Sequence, residues 1–164
     1  MGRANKSVVY VRAAATIAAL CVMSVGGWAV AQSTTTPADA VRVRHDNFHQ
    51  LGGAFKGVND QLHASTPDLA SIRANAQILA NLAQQLPTWF PAGSGPESGE
   101  HTGAKAEIWT HNADFLVKAH GLQTETAQLV TVAAGTDVAA IGAEAHAVGE
   151  RCGACHSVYR QAHH

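Results

Sequence analysis

Five residues near the C-terminus have types and a spacing that could do chemistry: Cys152, Gly153, Ala154, Cys155 and His156. Two thiols three residues apart on a helix share one face, so both can reach the vinyl groups of one porphyrin. The imidazole that follows can bind the iron from the side the helix occupies. Cys-x-x-Cys-His therefore points to covalent haem c, one per chain, with Cys152 and Cys155 as attachment points and His156 as metal ligand. Two other chemistries use paired cysteines. A thiol redox pair would follow a strand in a βαβ context, and none is visible here. A four-ligand zinc site would need two more ligands, and no second Cys-x-x-Cys exists.

Haem attachment of this kind fits an exported protein, and residues 1–31 read as a secretory signal. Arg3, Lys6 and Arg12 form a basic start. Ala13 to Trp28 is an apolar and small-residue run, and Ala29-Val30-Ala31 is an A-x-A cleavage site before Gln32. A stretch of this length could nearly span a bilayer as an uncleaved anchor. Gly26-Gly27 and the A-x-A site fit removal better, so the expected location is the periplasm. Cys21 follows Leu20 rather than a small residue, which argues against a lipoprotein site.

Cleavage after Ala31 changes the arithmetic. The full chain has 11 Lys+Arg and 12 Asp+Glu. Three of the basic residues leave with the signal, so 8 remain against 12 acidic ones, a net charge of −4. That sign argues against nucleic acid as a partner. Only Cys152 and Cys155 remain as cysteines, so no structural disulfide is expected. Met1 and Met23 both leave, so no thioether from methionine is available to iron.

The elements that must position the motif appear as hydrophobic period. Residues 32–37 form a polar lead-in expected to be flexible, and 38–164 form one all-α domain. Four seams carry a 3–4 alternation. The first holds Val41, Arg44, Phe48, Leu51, Phe55, Val58 and Leu62. The second holds Leu69, Ile72, Ala76, Leu79, Ala83 and Leu86, started by Ser65-Thr66-Pro67-Asp68 with a hydroxyl cap and Pro in the first turn. The third holds Ile108, Phe115, Ala119, Leu122, Thr126, Leu129 and Ala133, and Gly135 is expected to stop it. The fourth holds Val138, Ile141, Ala145, Val148, Cys152, Cys155 and Tyr159, capped by Thr136 or Asp137. Short first and third connections predict an antiparallel four-helix bundle. The Gly- and Pro-rich stretch from Pro87 to about Thr102 is a loop between two hairpins. Cys152 and Cys155 occupy core positions, so the haem edge must enter the bundle. Arg44 also occupies a core position. It either snorkels to water or meets a haem carboxylate as a bidentate partner.

Taken together, the chain resembles cytochrome c′, the four-helix class II c-type cytochromes, from roughly Ala38 to His164. The marks are Arg44 one turn before Phe48, the stretch from Phe90 to Gly99, Glu107-Ile108-Trp109, and the haem motif with Arg160 one turn on. The resemblance implies His156 as proximal ligand with Arg160 beside it, although Arg160 also suits a helix C-terminus. It implies that Arg44 binds a propionate and puts His45 at a second propionate contact, where the family often has Gln. It places Phe48 over the distal face, where low-spin members carry a ligating Met.

A second imidazole could still reach the iron. His45 and His49 flank Phe48, but both lie off the apolar seam and read as solvent-facing. The expected site is five-coordinate and high-spin, with an apolar distal pocket of Phe48 and some of Leu51, Phe55, Trp89 and Phe90. Such a pocket favours NO and CO over charge-separated Fe–O2. The expected function is binding of NO or CO, by scavenging or carriage, with electron transfer to an unknown redox partner. The alternative is a plain electron carrier with six-coordinate bis-His haem. A peroxidase-like enzyme would need a distal acid–base pair, and Phe48 is the wrong residue. The resemblance also implies a homodimer through the first helix, with Leu51 to Phe55 and Val58 as the candidate patch.

Overall fold

Thr36 has extended backbone, and its hydroxyl oxygen accepts from the Asp39 amide, so it caps the first helix with Pro37 in the first turn. The computed structural model describes residues 36–161. The signal reading, most of the polar lead-in and His163 and His164 lie outside the described residues. The lead-in ends earlier than its composition suggests, because Thr36 and Pro37 already belong to the helix start.

Five helices follow among the described residues: α1 (Pro37–Leu62), α2 (Leu69–Gln85), α3 (Glu107–Thr110), α4 (Asn112–Ala133) and α5 (Val138–Tyr159). The four long ones form an antiparallel four-helix bundle. The pairs α1–α2 and α4–α5 pack as hairpins, and α2 packs on α4. By comparison α1 and α5 touch little, and the cavity described below lies along that seam.

The helix ends correct the sequence reading at α2 and α4 and decide between its two candidates at α5. The α2 cap is Asp68 rather than a hydroxyl, with its carboxylate accepting from the amides of Ala70 and Ser71. Pro67 therefore precedes the helix. Asp137, not Thr136, caps α5 in the same way. Gly135 has no positive φ, so it does not end α4 by the left-handed route. Instead Arg73 of α2 reaches across to the last carbonyls of α4, donating to Ala133 O at 2.8 Å and Gly135 O at 2.9 Å. A side-chain cation there satisfies orphan carbonyls and suits the negative end of the helix dipole.

The third seam is wholly buried, from Ile108 through Phe115, Ala119, Leu122, Thr126 and Leu129 to Ala133. Its helix is nonetheless broken at His111, whose φ of −117° and ψ of 41° part α3 from α4. The seam survives because the break keeps Ile108 and Phe115 on one side. In α1 the periodic residues divide. Leu51 and Val58 are buried in the core, whereas Val41, Phe48 and Phe55 are half-buried along the cavity. The dimer patch expected at Leu51 to Phe55 and Val58 is thus used internally. The apolar side chains that α1 and α2 do expose include Val43 and Ile78.

The loop from α2 to α3 carries 3-10 turns at Leu86–Trp89 and Pro96–Ser98. Gly93 and Gly99 take φ of 78° and 77°, which side chains rarely adopt. Its end pairs with the end of α5: the Lys105 amide donates to Tyr159 O at 3.0 Å, and the Gln161 amide to Gly103 O at 2.8 Å.

Candidate functional site

Three helices and the long loop enclose a cavity of about 570 Å³. That volume falls in the range of roughly 300–1,000 Å³ typical of cofactor sites. Val41, Leu51 and Phe55 of α1 and Phe115, Ala119 and Leu122 of α4 make its walls apolar. Cys152, Cys155 and His156 open onto it from the last two turns of α5. All the predicted site residues, Arg44, His45, Phe48 and Arg160 included, line this one cavity.

The thiols are free and half-buried. Burial pushes the Cys152 pKa up. Burial pushes Cys155 up to about 11, against a smaller opposing pull from the Lys118 charge. Both side chains are therefore neutral thiols at neutral pH, unlike the low-pKa thiolates of redox motifs. His156 shifts the other way. Desolvation by the surrounding protein, then the Arg160 charge, holds its pKa below the usual imidazole value. A neutral imidazole keeps the lone pair a metal needs. A planar apolar cofactor held by two thiols and one neutral imidazole fits this donor set and this cavity.

Arg44 does not snorkel to water; it is 3% exposed. Its guanidinium ties α1 to the long loop, donating to Trp89 O at 3.3 Å, Ser94 Oγ at 3.0 Å, Ser94 O at 2.9 Å and Thr102 Oγ1 at 2.9 Å. The cation also lies 4.8 Å from the centre of the Phe90 ring. Burial lowers its pKa, opposed by the charge of Glu97. Phe48, one turn on, packs edge-on against Trp89 with ring centres 5.1 Å apart and against Phe90 at 6.2 Å. Of the residues expected beside Phe48, Leu51, Phe55 and Phe90 line the cavity, while Trp89 backs the Phe48 ring.

His45 and His49 are exposed, as their position off the seam requires, yet both also border the cavity. Their Nε2 atoms lie 3.2 Å apart. Sequence reasoning did not single out His101, Thr102 or Lys118, which share the lining. Lys118 lies three residues after Phe115 and one before Ala119, so the third seam could have placed it at the cavity edge. His101 and Thr102 sit in a loop without period and carried no such signal.

Comparison with known proteins bears on the same residues. Residues 39–160 match the family model Cytochrome C′. The chain is 32% identical to cytochrome c′ of Alcaligenes xylosoxydans over 126 residues, covering 76% of this chain and 95% of that protein. It is also 32% identical to cytochrome c-556 of Agrobacterium fabrum over 124 residues, 75% of this chain and 82% of that one. Among solved structures, cytochrome c′ from Shewanella frigidimarina superposes with a TM-score of 0.72 at 30% identity, covering 79% of this chain and 99% of that one. A nitric oxide complex of a mutant cytochrome c′ from Alcaligenes xylosoxidans superposes with a TM-score of 0.70 at 29% identity, covering 77% and 98%.

Proposed function

Because this chain belongs to the cytochrome c′ family, whose members carry one covalent haem c each, we propose that it is a periplasmic haem protein binding NO and CO at a five-coordinate iron. The observation that carries the reading is the convergence of Cys152, Cys155 and a neutral His156 on one apolar cavity. Cys152 and Cys155 would hold the haem as thioethers, and His156 would ligate its iron. Bound there, the haem would supply an iron able to take a diatomic ligand and a one-electron Fe(III)/Fe(II) couple.

The protein's own residues set what can enter. Phe48 borders the cavity without any donor atom, and the chain beyond Ala31 has no methionine. Arg44 brings a fixed positive charge to the rim, suited to a propionate. In this reading His45, whose Nε2 lies 3.2 Å from that of His49, is a second candidate beside Arg44 for a carboxylate contact. Arg160 stands beside His156 on the proximal side. The protein in this reading binds ligands and carries electrons rather than turning over a substrate. A solved relative in complex with NO supports the choice of gas. In this reading the protein is exported by residues 1–31 and pairs as a homodimer through α1, which sedimentation at tens of micromolar would detect.

A second reading, a six-coordinate bis-His electron carrier, draws on one observation: His45 and His49 border the cavity. The optical spectrum of the reduced protein, with and without NO, separates the two. Broad high-spin bands that change with NO support the first reading. Sharp low-spin α and β bands unaffected by NO would replace it with the second. Acid–acetone extraction should leave the haem on the protein; its release would defeat both.

A further inference from the structure

We infer that His45 and His49 form a chelate for one divalent transition-metal ion, of the zinc, nickel or copper class, at the rim of the cavity and separate from the Cys152–Cys155–His156 site. Helical spacing of i and i+4 sets the two side chains next to each other on α1. Their ring centres are 4.4 Å apart at 64°, but their Nε2 atoms are only 3.2 Å apart. The nitrogen edges are therefore turned towards each other. If each nitrogen sits about 2.1 Å from one ion, a separation of 3.2 Å corresponds to an angle at the metal of roughly 100°. That value lies between the tetrahedral and square arrangements imidazole-bound ions adopt.

The protonation states needed are accessible. Without an ion, one Nε2 must carry a proton for the other to accept it. With an ion, both lone pairs point at the metal and both protons sit on Nδ1. Asp46 Oδ1 lies 3.8 Å from His45 Nδ1, a charge contact on that side of the ring rather than a hydrogen bond. Asp46 also faces Arg42 at 3.7 Å, so its charge is shared. Both imidazoles are exposed, so an ion can reach them without opening the bundle.

The same observations define the class of ion. Among the described residues, no group of three or more His, Cys, Asp and Glu side chains is placed to hold a metal. The pair thus supplies two positions, and water or an outside ligand takes the rest. This describes an exchangeable site, not a closed structural one. Two imidazoles without a carboxylate ligand select against calcium and magnesium, which take oxygen. Because His45 and His49 flank Phe48 and border the cavity, the ion adds positive charge beside Arg44 at the distal rim.

Zinc chloride is the probe, titrated by calorimetry into the haem-loaded processed protein. One zinc per chain should bind, and both His45→Gln and His49→Gln should weaken that site by more than about tenfold, the loss that even second-shell changes can cause. His146→Gln, an exposed imidazole elsewhere on α5, should leave it unchanged. Zinc should raise the melting midpoint of the natural protein and not that of either variant, since binding to the folded pair alone stabilises it. Identical isotherms for the natural protein and both variants would overturn the site. So would a loss in only one of the two variants. A ferrous spectrum with sharp low-spin bands that vanish in either variant would also overturn it, because the iron would then hold that imidazole.

Discussion

Phe48 and Tyr159 both line the cavity, and each allows a sharp test. Phe48 is half-buried against Trp89 and Phe90. Truncating it to Ala should cost at most about 3 kcal/mol, the lower end for a phenylalanine, since the ring is only partly enclosed. If the ring covers the iron, the same change should speed CO association with the ferrous protein by orders of magnitude. Stopped-flow rates that are equal in two folded, haem-loaded proteins would show that Phe48 does not cover it. Phe48→Met should supply a thioether at the position where low-spin relatives carry one and sharpen the reduced spectrum. Tyr159 is buried, and its hydroxyl donates to Asp114 Oδ2 at 2.7 Å. Burial, then that hydrogen bond and the Asp114 charge, push its pKa up to about 12. If residues 1–31, which include Tyr10, are removed on export as proposed, Tyr159 is the one tyrosine of the processed chain. Tyrosinate absorbance should therefore stay flat through pH 10 and rise only near 12. The folded pKa exceeds the ordinary value of 10.0. The folded state then holds the proton longer, so this contribution to stability is full below pH 10 and lost as pH climbs towards 12. A tyrosinate step near pH 10 in the folded protein would remove the claim.

At the scale of the element, α5 carries the motif and its two ends differ in what secures them. The start depends on Asp137, so Asp137→Ala should lower stability by about 1 kcal/mol in thermal or denaturant unfolding. The middle holds an unfavourable pair. Glu144 has one carboxylate oxygen, Oε1, buried without a partner. Burial, and then neighbouring Glu125 on α4, raise its pKa. A carboxyl whose folded pKa is raised stabilises most at low pH and loses that contribution as pH rises through it. Glu144→Gln should therefore raise the melting midpoint at pH 7, with the gain shrinking in acid; equal midpoints at pH 7 would contradict it. How much of these elements the sequence displays depends on period. The four seams are legible because burial repeats every three to four residues, and the third seam is buried at each of its seven positions. The break at His111 is not legible, because it changes two backbone angles without moving the seam. The caps are half legible: Ser, Thr and Asp crowd the starts of α1, α2 and α5, and only the backbone decides which of them is the cap. The role of Arg44 is invisible for a different reason. Its partners Ser94 and Thr102 lie 50 and 58 residues away in a loop without period. A core position predicts that an Arg there needs partners, but not which ones. The pairing of His45 with His49 was open to reading, since i and i+4 spacing alone brings two rings together.

Residues 36–161 form a bundle whose side chains leave one large cavity between its helices. About 570 Å³ remains between α1, α4, α5 and the long loop. Engineered cavities in protein cores cost about 24 cal/mol per Å³, which for this volume would reach about 14 kcal/mol if the space were closed and dry. Exposed residues share the lining, so the cavity is not closed and the cost is smaller, but even half of it matches the entire stability of a small domain. The α1–α5 seam is where the penalty falls, since these helices otherwise touch little. Arg44 compounds it, because a cation buried between α1 and the loop stays satisfied only while Ser94, Thr102 and the Trp89 carbonyl hold position. The fold should therefore depend on the covalent haem that this family carries. A Cys152→Ala/Cys155→Ala double variant produced without haem should retain much of its helical circular dichroism. It should lose a cooperative melt and bind a hydrophobic dye, the behaviour of a collapsed but loosely packed state. The α2–α4 core, anchored by Ile72, Leu79 and Leu129, should be the last part to lose amide protection in hydrogen exchange. A haem-free double variant melting cooperatively within a few degrees of the haem-loaded protein would show that the four helices hold their places without the cofactor.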